Sequence, residues 1–88
     1  MTERPPSLRD DGVCAQCGST VIKSGTSING KEGLRGSNRI PIDSKISAVL
    51  DNYICTACGY VESYISNREM LNRIKFLWQK VTPKEDIP

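Results

Sequence analysis

The chain has 88 residues, of which 38% are apolar, with twelve Lys and Arg against ten Asp and Glu. This length allows one domain, excludes two independently cored domains, and leaves a small core that often needs a metal or a disulfide for stability. No apolar run approaches the roughly 20 residues that cross a bilayer, and the polar N-terminus lacks the apolar segment of a secretory signal. We therefore expect a cytoplasmic protein without a membrane partner.

The first half of the chain predicts little regular structure. Residues 1–12 are polar and are predicted to be a flexible tail. β-Branched residues at 20–23 predict a short strand. The region 24–45 contains four glycines and is predicted to be a long Gly-rich loop. Within it, residues 40–43 are predicted to form an edge strand, because Pro41 cannot donate a hydrogen bond to a sheet.

The second half predicts strands followed by a helix. Residues 46–54 and 60–65 are rich in β-branched and aromatic residues and are expected to pair as a hairpin. A helix is predicted over residues 67–81, with Ser66 as its N-cap and Glu69 completing a capping box. Its apolar positions fall on one face, which we expect to cover one side of the sheet: Met70, Leu71, Ile74, Leu77, Trp78 and Val81.

A CxxCG pattern occurs twice, at Cys14–Cys17 and at Cys55–Cys58. Two residues between thiolates allow both sulfurs to face one ion, and the following glycine permits a positive φ that closes the turn. All four cysteines would enter one closed, structural Zn²⁺ site. The alternatives are two disulfides, redox chemistry at a single CxxC, or iron. A cytosolic location disfavours disulfides, neither CxxC opens a helix within a βαβ unit, and the motif alone does not separate zinc from iron.

The residues around these motifs resemble a zinc ribbon. They are most similar to small prokaryotic zinc-ribbon proteins described as predicted nucleic-acid-binding proteins, whose second motif reads CxxCGY before an acidic residue and an aromatic. Gly59, Tyr60, Glu62 and Tyr64 match that pattern. The ribbon of transcription elongation factor S uses an Asp-Glu pair at its hairpin tip. This chain has no such pair between its two motifs, which speaks against that activity.

The resemblance implies a small metal-stabilised α+β fold. A rubredoxin-like zinc ribbon, a short antiparallel sheet with two CxxCG knuckles, would occupy residues 13–65. An amphipathic C-terminal helix would lie within 66–82, and a polar tail would occupy 83–88. The helix is an addition for which the family supplies no meaning.

Candidate partner contacts lie in the Gly-rich loop and on the helix. Lys31, Arg35, Arg39 and Lys45 could bind phosphates, although a solvated loop with ordinary solubility charges is the preferred interpretation. On the helical wheel Phe76 lies opposite the apolar face, so it is a candidate contact for a protein, a nucleic-acid base or a second copy of the chain. Arg73 and Lys80 lie near it.

These features predict a non-enzymatic module that binds a macromolecule, with nucleic acid slightly favoured. Protein binding or helix-mediated self-association is the alternative, and an iron electron carrier is a remote one. The chain has no histidine and no cysteine outside the two motifs, and its carboxylates show no paired spacing in an apolar setting, so we expect neither an enzyme nor a small-molecule substrate. Four thiolates and one Zn²⁺ would bring the net charge of +2 near zero, so overall charge does not favour nucleic acid.

Overall fold

Two antiparallel sheets and two α-helices make up residues 5–82, the part of the chain that the computed structural model describes. Within that part, no helix is long and apolar enough to cross a membrane. In chain order the elements are α1 (Leu8–Asp11), β1 (Ile22–Ser24), a 3-10 turn (Leu34–Gly36), β2 (Arg39–Pro41), β3 (Ser47–Val49), β4 (Asp51–Cys55), β5 (Val61–Tyr64) and α2 (Arg68–Leu77).

The larger sheet has the order β1-β4-β5, so β4 is its central strand. Cys55, the last residue of β4, lies opposite Ile22, while Ile54 lies opposite both Lys23 and Val61. Because successive side chains of a strand point to opposite faces, Asp51 and Cys55 share one face and Ile54 lies on the other. The buried residues of β4 are all on the first face, which is therefore the inner one.

Helix α1 covers that inner face. Leu8 is only 2% exposed and packs with Cys14 and Cys55 in the main buried cluster. Its backbone N–H donates to Oε2 of Glu62, and the Arg9 guanidinium lies 3.8 Å from the centre of the Tyr64 ring. These contacts join the segment before the first cysteine motif to strand β5.

The prediction of a flexible tail over residues 1–12 is therefore wrong for residues 7–12, which form a capped helix. Residues 1–4 lie outside the described part of the chain. The Ser7 hydroxyl caps α1 by accepting from the Asp10 N–H at 2.9 Å, and Gly12 ends the helix with φ +67°. Leu8, a lone apolar residue in a polar stretch, has no periodic partner, so the pattern did not reveal its burial.

The smaller sheet pairs β2 with β3, and this pairing divides the single strand predicted for 46–54. β3 and β4 are separated at Leu50, whose N–H donates to the Asn38 carbonyl. The side-chain amide of Asn38 donates to the carbonyls of Lys31 and Leu50 at 2.8 and 3.0 Å. One asparagine thus ties the predicted loop 24–45 to the turn between the two sheets, which a one-dimensional pattern does not show.

Asp51 joins three segments at the start of β4. Its buried carboxylate accepts from Lys31 Nζ and from Ser66 Oγ, both at 2.6 Å, and Lys31 also donates to the Thr26 carbonyl. The hydrogen bond from Lys31, and then that from Ser66, hold the pKa of this carboxyl below its ordinary value against the opposing effect of burial. Asp51 therefore fixes the loop and the approach to α2 on the same strand.

Helix α2 differs from its prediction at both ends. Asn67, not Ser66, is the N-cap, and its side-chain oxygen accepts from the N–H groups of Glu69 and Met70. Ser66 is unavailable because its hydroxyl is bonded to Asp51. The helix ends at Leu77 rather than at 81, since the backbone of Trp78 is extended and its indole N–H donates to the Ile42 carbonyl at 3.0 Å.

The predicted packing of α2 over the sheet is also incomplete. None of its residues is buried, and its last turn leaves Leu77 more than half exposed. Ile42 and Ala48, the buried apolar residues of the β2–β3 hairpin, lie outside the cluster around Leu8, and the Ile42 carbonyl accepts from Trp78. The polar tail predicted for 83–88 lies outside the described residues.

Candidate metal centre

Two turns with the same hydrogen bonds carry the four cysteines. In the first, the Gly18 N–H donates to the Cys14 carbonyl at 2.8 Å. In the second, the Gly59 N–H donates to the Cys55 carbonyl at 2.7 Å. Both glycines have a positive φ, +78° and +86°, and a Cβ at either would meet no neighbouring atom. The left-handed backbone conformation, rather than lack of space, therefore favours glycine after each motif.

The structure brings the four predicted ligands together. Their sulfurs all lie within 4.8 Å of one another, with Cys14 and Cys58 Sγ 3.7 Å apart and Cys17 and Cys55 Sγ 3.6 Å apart. A tetrahedron with metal–sulfur bonds of about 2.3 Å has sulfur–sulfur edges of about 3.8 Å. All four cysteines are free thiols. The arrangement therefore fits one tetrahedrally bound metal ion.

The cluster is covered on one side and open on the other. Cys14 and Cys55 are buried under α1, whereas Cys17 and Cys58 are exposed. The Gln16 N–H donates to Cys14 Sγ at 3.3 Å, the kind of contact that orients a thiolate toward a metal. Since four sulfurs complete the coordination of such an ion, no position is left for a substrate, as expected of a structural site.

The local backbone determines how readily each thiol loses its proton. Burial opposes ionisation of Cys55, but the backbone N–H groups of Cys58 and Ala57 outweigh it and lower the pKa of this thiol to about 7. At Cys17 hydrogen bonds with the Ser19 backbone and with Cys58 favour the thiolate, yet desolvation and the thiols of Cys55 and Cys14 give a raised pKa. Cys55 is therefore more easily converted to a metal-binding thiolate than Cys17.

Cys58 has the opposite tendency. The backbone of Tyr60 favours its thiolate, but desolvation and the three neighbouring thiols, those of Cys17, Cys14 and Cys55, raise its pKa to about 12. Crowding of four sulfurs disfavours several negative charges in one place unless a cation lies among them. The cluster is thus electrostatically incomplete without a positive ion.

Metal binding is therefore expected to release protons. At about pH 7 the thiols of the metal-free chain are mostly protonated, because an ordinary cysteine pKa is about 8.5, so binding of one Zn²⁺ by four thiolates should release at least two protons. Affinity for Zn²⁺ should fall as pH falls, since protons compete for the thiolates. Titration with a pH indicator in weak buffer measures this release, and fewer than two protons per ion would contradict ligation by four thiolates.

Three of the predicted partner contacts have side-chain partners within the chain. Lys31 is paired with Asp51, and Arg39 donates to the Ser47 hydroxyl at 2.6 Å. Arg73 lies 3.5 Å from Glu69 on the same helix. The remaining predicted contacts lie exposed at the surface: Arg35, Lys45, Phe76 and Lys80. Arg35 and Lys45 are in the loop region, Phe76 is in the last turn of α2, and Lys80 follows that helix.

Comparison with models of known protein families, with curated proteins and with solved structures finds no match to this chain. The similarity to zinc ribbons therefore rests on the cysteine motifs, and the four-sulfur cluster supports a metal-binding module.

Two residues that organise the site were not identified from the sequence. Leu8 covers Cys14 and Cys55, and the capping residues Ser7 and Gly12 on either side of α1 were the available signal. Asp51 is the second residue that was not identified. The available signal was its position as an acidic residue within a predicted apolar strand, which indicates a buried partner. That partner, Lys31, lies twenty residues away, so its identity depended on the tertiary structure.

Proposed function

We propose that the chain is a non-enzymatic zinc-ribbon module that presents helix α2 to another protein. Zn²⁺ bound by Cys14, Cys17, Cys55 and Cys58 would supply folding energy and no catalysis. The proposal for α2 rests on one observation: Phe76 is 84% exposed on a helix whose neighbouring turn is fixed to the domain by the Trp78–Ile42 hydrogen bond. An exposed aromatic on a rigid element is typical of an anchor in protein interfaces.

Nucleic acid is the second candidate. Residues 68–80 contain four Lys or Arg against one Glu, and Lys75 and Lys80 are exposed near Phe76. Cations beside an aromatic suit a single strand, in which phosphates and bases are bound together. Against this, two of the cations predicted for the task already have partners within the chain: Lys31 pairs with the buried Asp51, and Arg39 donates to Ser47 at the surface.

A pull-down from native lysate, performed with and without nuclease, tests the choice. We expect Phe76→Ala to lose a partner that Leu34→Ala, a change at an equally exposed apolar residue away from α2, retains. Retention of that partner after nuclease supports protein binding. Release by nuclease, together with binding to single-stranded DNA or RNA that weakens steeply with salt, would favour the second candidate. Identical captures by both variants would refute a role for Phe76.

A further inference from the structure

The last turn of α2 is apolar on opposite sides. Ile74, Phe76, Leu77 and Trp78 are interrupted only by Lys75. Residues two positions apart on a helix point in nearly opposite directions, so Ile74 and Phe76 occupy opposite sides. Ile74 is half-buried, whereas Phe76 and Leu77 are exposed. The apolar surface of this turn therefore extends beyond its half-buried side, and within the described residues Phe76 and Leu77 remain uncovered.

The turn is held in place before any partner arrives. The indole N–H of Trp78 donates to the carbonyl of Ile42, a buried residue of the β2–β3 hairpin. About half of the Trp78 surface nevertheless remains exposed, and it lines an open groove of about 560 Å³ with Ile74, Lys75, Gln79 and Lys80. A fixed aromatic loses little conformational freedom on binding, which favours its use as a contact.

Charge selects among the occupants of this surface. Residues 68–80 contain four cations against one carboxylate, a net charge of +3. Two copies of α2 would repel each other, so pairing of the helices is disfavoured and an anionic partner is favoured. Leu77 and Val81 are exposed but have no aromatic face on which a base could stack. An apolar cavity would bury Leu77 together with Phe76.

We infer that the last turn of α2 inserts into an apolar cavity on a partner protein, with carboxylates at the rim of that cavity facing Lys75 and Lys80. This inference rests on the proposed function and adds the chemistry of the partner to it. Phe76 and Leu77 would enter the cavity, and Trp78 would close its edge while it stays bonded to Ile42. The geometry is that of an amphipathic helix in a groove.

Photo-crosslinking in native cells tests the inference directly. The probe is p-benzoylphenylalanine introduced in place of Phe76, with the same probe in place of Leu34 as a matched control, since both positions are more than 80% exposed. We expect an adduct from position 76 alone that survives nuclease. The cross-linked partner peptide, identified by mass spectrometry, should be apolar and flanked by Asp or Glu.

The affinity for the cross-linked partner then tests the two parts of the surface, the apolar Phe76 and the cations Lys75 and Lys80. The cross-linked partner is purified and titrated against the zinc-loaded chain, with fluorescence of Trp78, the sole tryptophan, as the signal. Phe76→Ala should weaken binding by about thirtyfold, as expected for an interface anchor. Lys75→Glu combined with Lys80→Glu should also weaken it, and the wild-type interaction should weaken with salt, while Leu34→Ala should leave it unchanged. Retention of one equivalent of zinc by each variant verifies folding.

The possible failures are distinguishable. A protein adduct whose cross-linked peptide is polar or basic would overturn the inference and leave the proposed function standing. An adduct to nucleic acid, to a second copy, to lipid or to residues of the same chain would overturn both. No adduct from position 76, or equal adducts from positions 76 and 34, would do the same.

Discussion

Chelation of the metal from the four-cysteine cluster is expected to unfold the domain. Structural zinc contributes about 10–16 kcal/mol in small zinc-binding peptides near pH 7, whereas a core of this size supplies about 3–5 kcal/mol. Among the described residues only five apolar or cysteine side chains are buried, and two of these are the ligands Cys14 and Cys55. Without the metal, the remaining core is too small to offset the cost of ordering the chain.

Circular dichroism and amide hydrogen exchange during chelation measure this effect. We expect loss of sheet signal on removal of the metal and recovery when one equivalent of Zn²⁺ is returned. Cys17→Ser should behave like the chelated protein, and Ala57→Ser, an exposed change within the second cysteine turn, should behave like the wild type. Metal analysis of the purified protein distinguishes zinc from iron. Protected amides in β4 after complete chelation would refute a structural role for the metal.

Leu8→Ala is expected to destabilise the zinc-loaded domain by about 2–4 kcal/mol, because truncation of a fully buried leucine removes apolar contacts and leaves a cavity. Leu34→Ala provides a matched control. Its side chain is 83% exposed against 2% for Leu8, so the same truncation should change stability by less than about 0.5 kcal/mol. Denaturant unfolding at a fixed zinc concentration measures both.

A second measurement on Leu8→Ala follows the metal. Leu8 lies against Cys14 and Cys55, so its truncation should increase the rate at which a competing chelator removes zinc, whereas Leu34→Ala should not. Equal unfolding free energies and equal release rates for the two variants would show that α1 does not protect the cluster.

The local parts of the site were predictable from sequence. Each CxxCG turn is determined by residues within six positions, and its glycine φ and hydrogen bonds follow from that short range. The parts that depend on distant partners were not predictable. The residues around Ser66 predict it as the N-cap of α2. Its hydroxyl instead donates to Asp51, and Asn67 caps the helix.

The predicted ends of strands and of helix α2 were wrong for the same physical reason. The apolar run 46–54 does not reveal that its halves pair with different strands, because the division at Leu50 depends on Asn38 twelve residues earlier. The end of α2 depends on the Trp78–Ile42 hydrogen bond, across thirty-six residues. In a domain with so few buried apolar residues, single polar contacts of this kind outweigh local propensity.

Strand β4 has one role at each of its ends. Cys55 lies at one end with the metal cluster, and Asp51 at the other joins the loop and the approach to α2. The two anchors are separated by about 13 Å of extended backbone. The cysteine cluster and the hydrogen bonds of Asp51, rather than an extensive apolar interior, hold this architecture together. Surface positions on α2 are therefore free to change in evolution or in engineering, so that one scaffold can acquire new binding specificity without a redesigned fold.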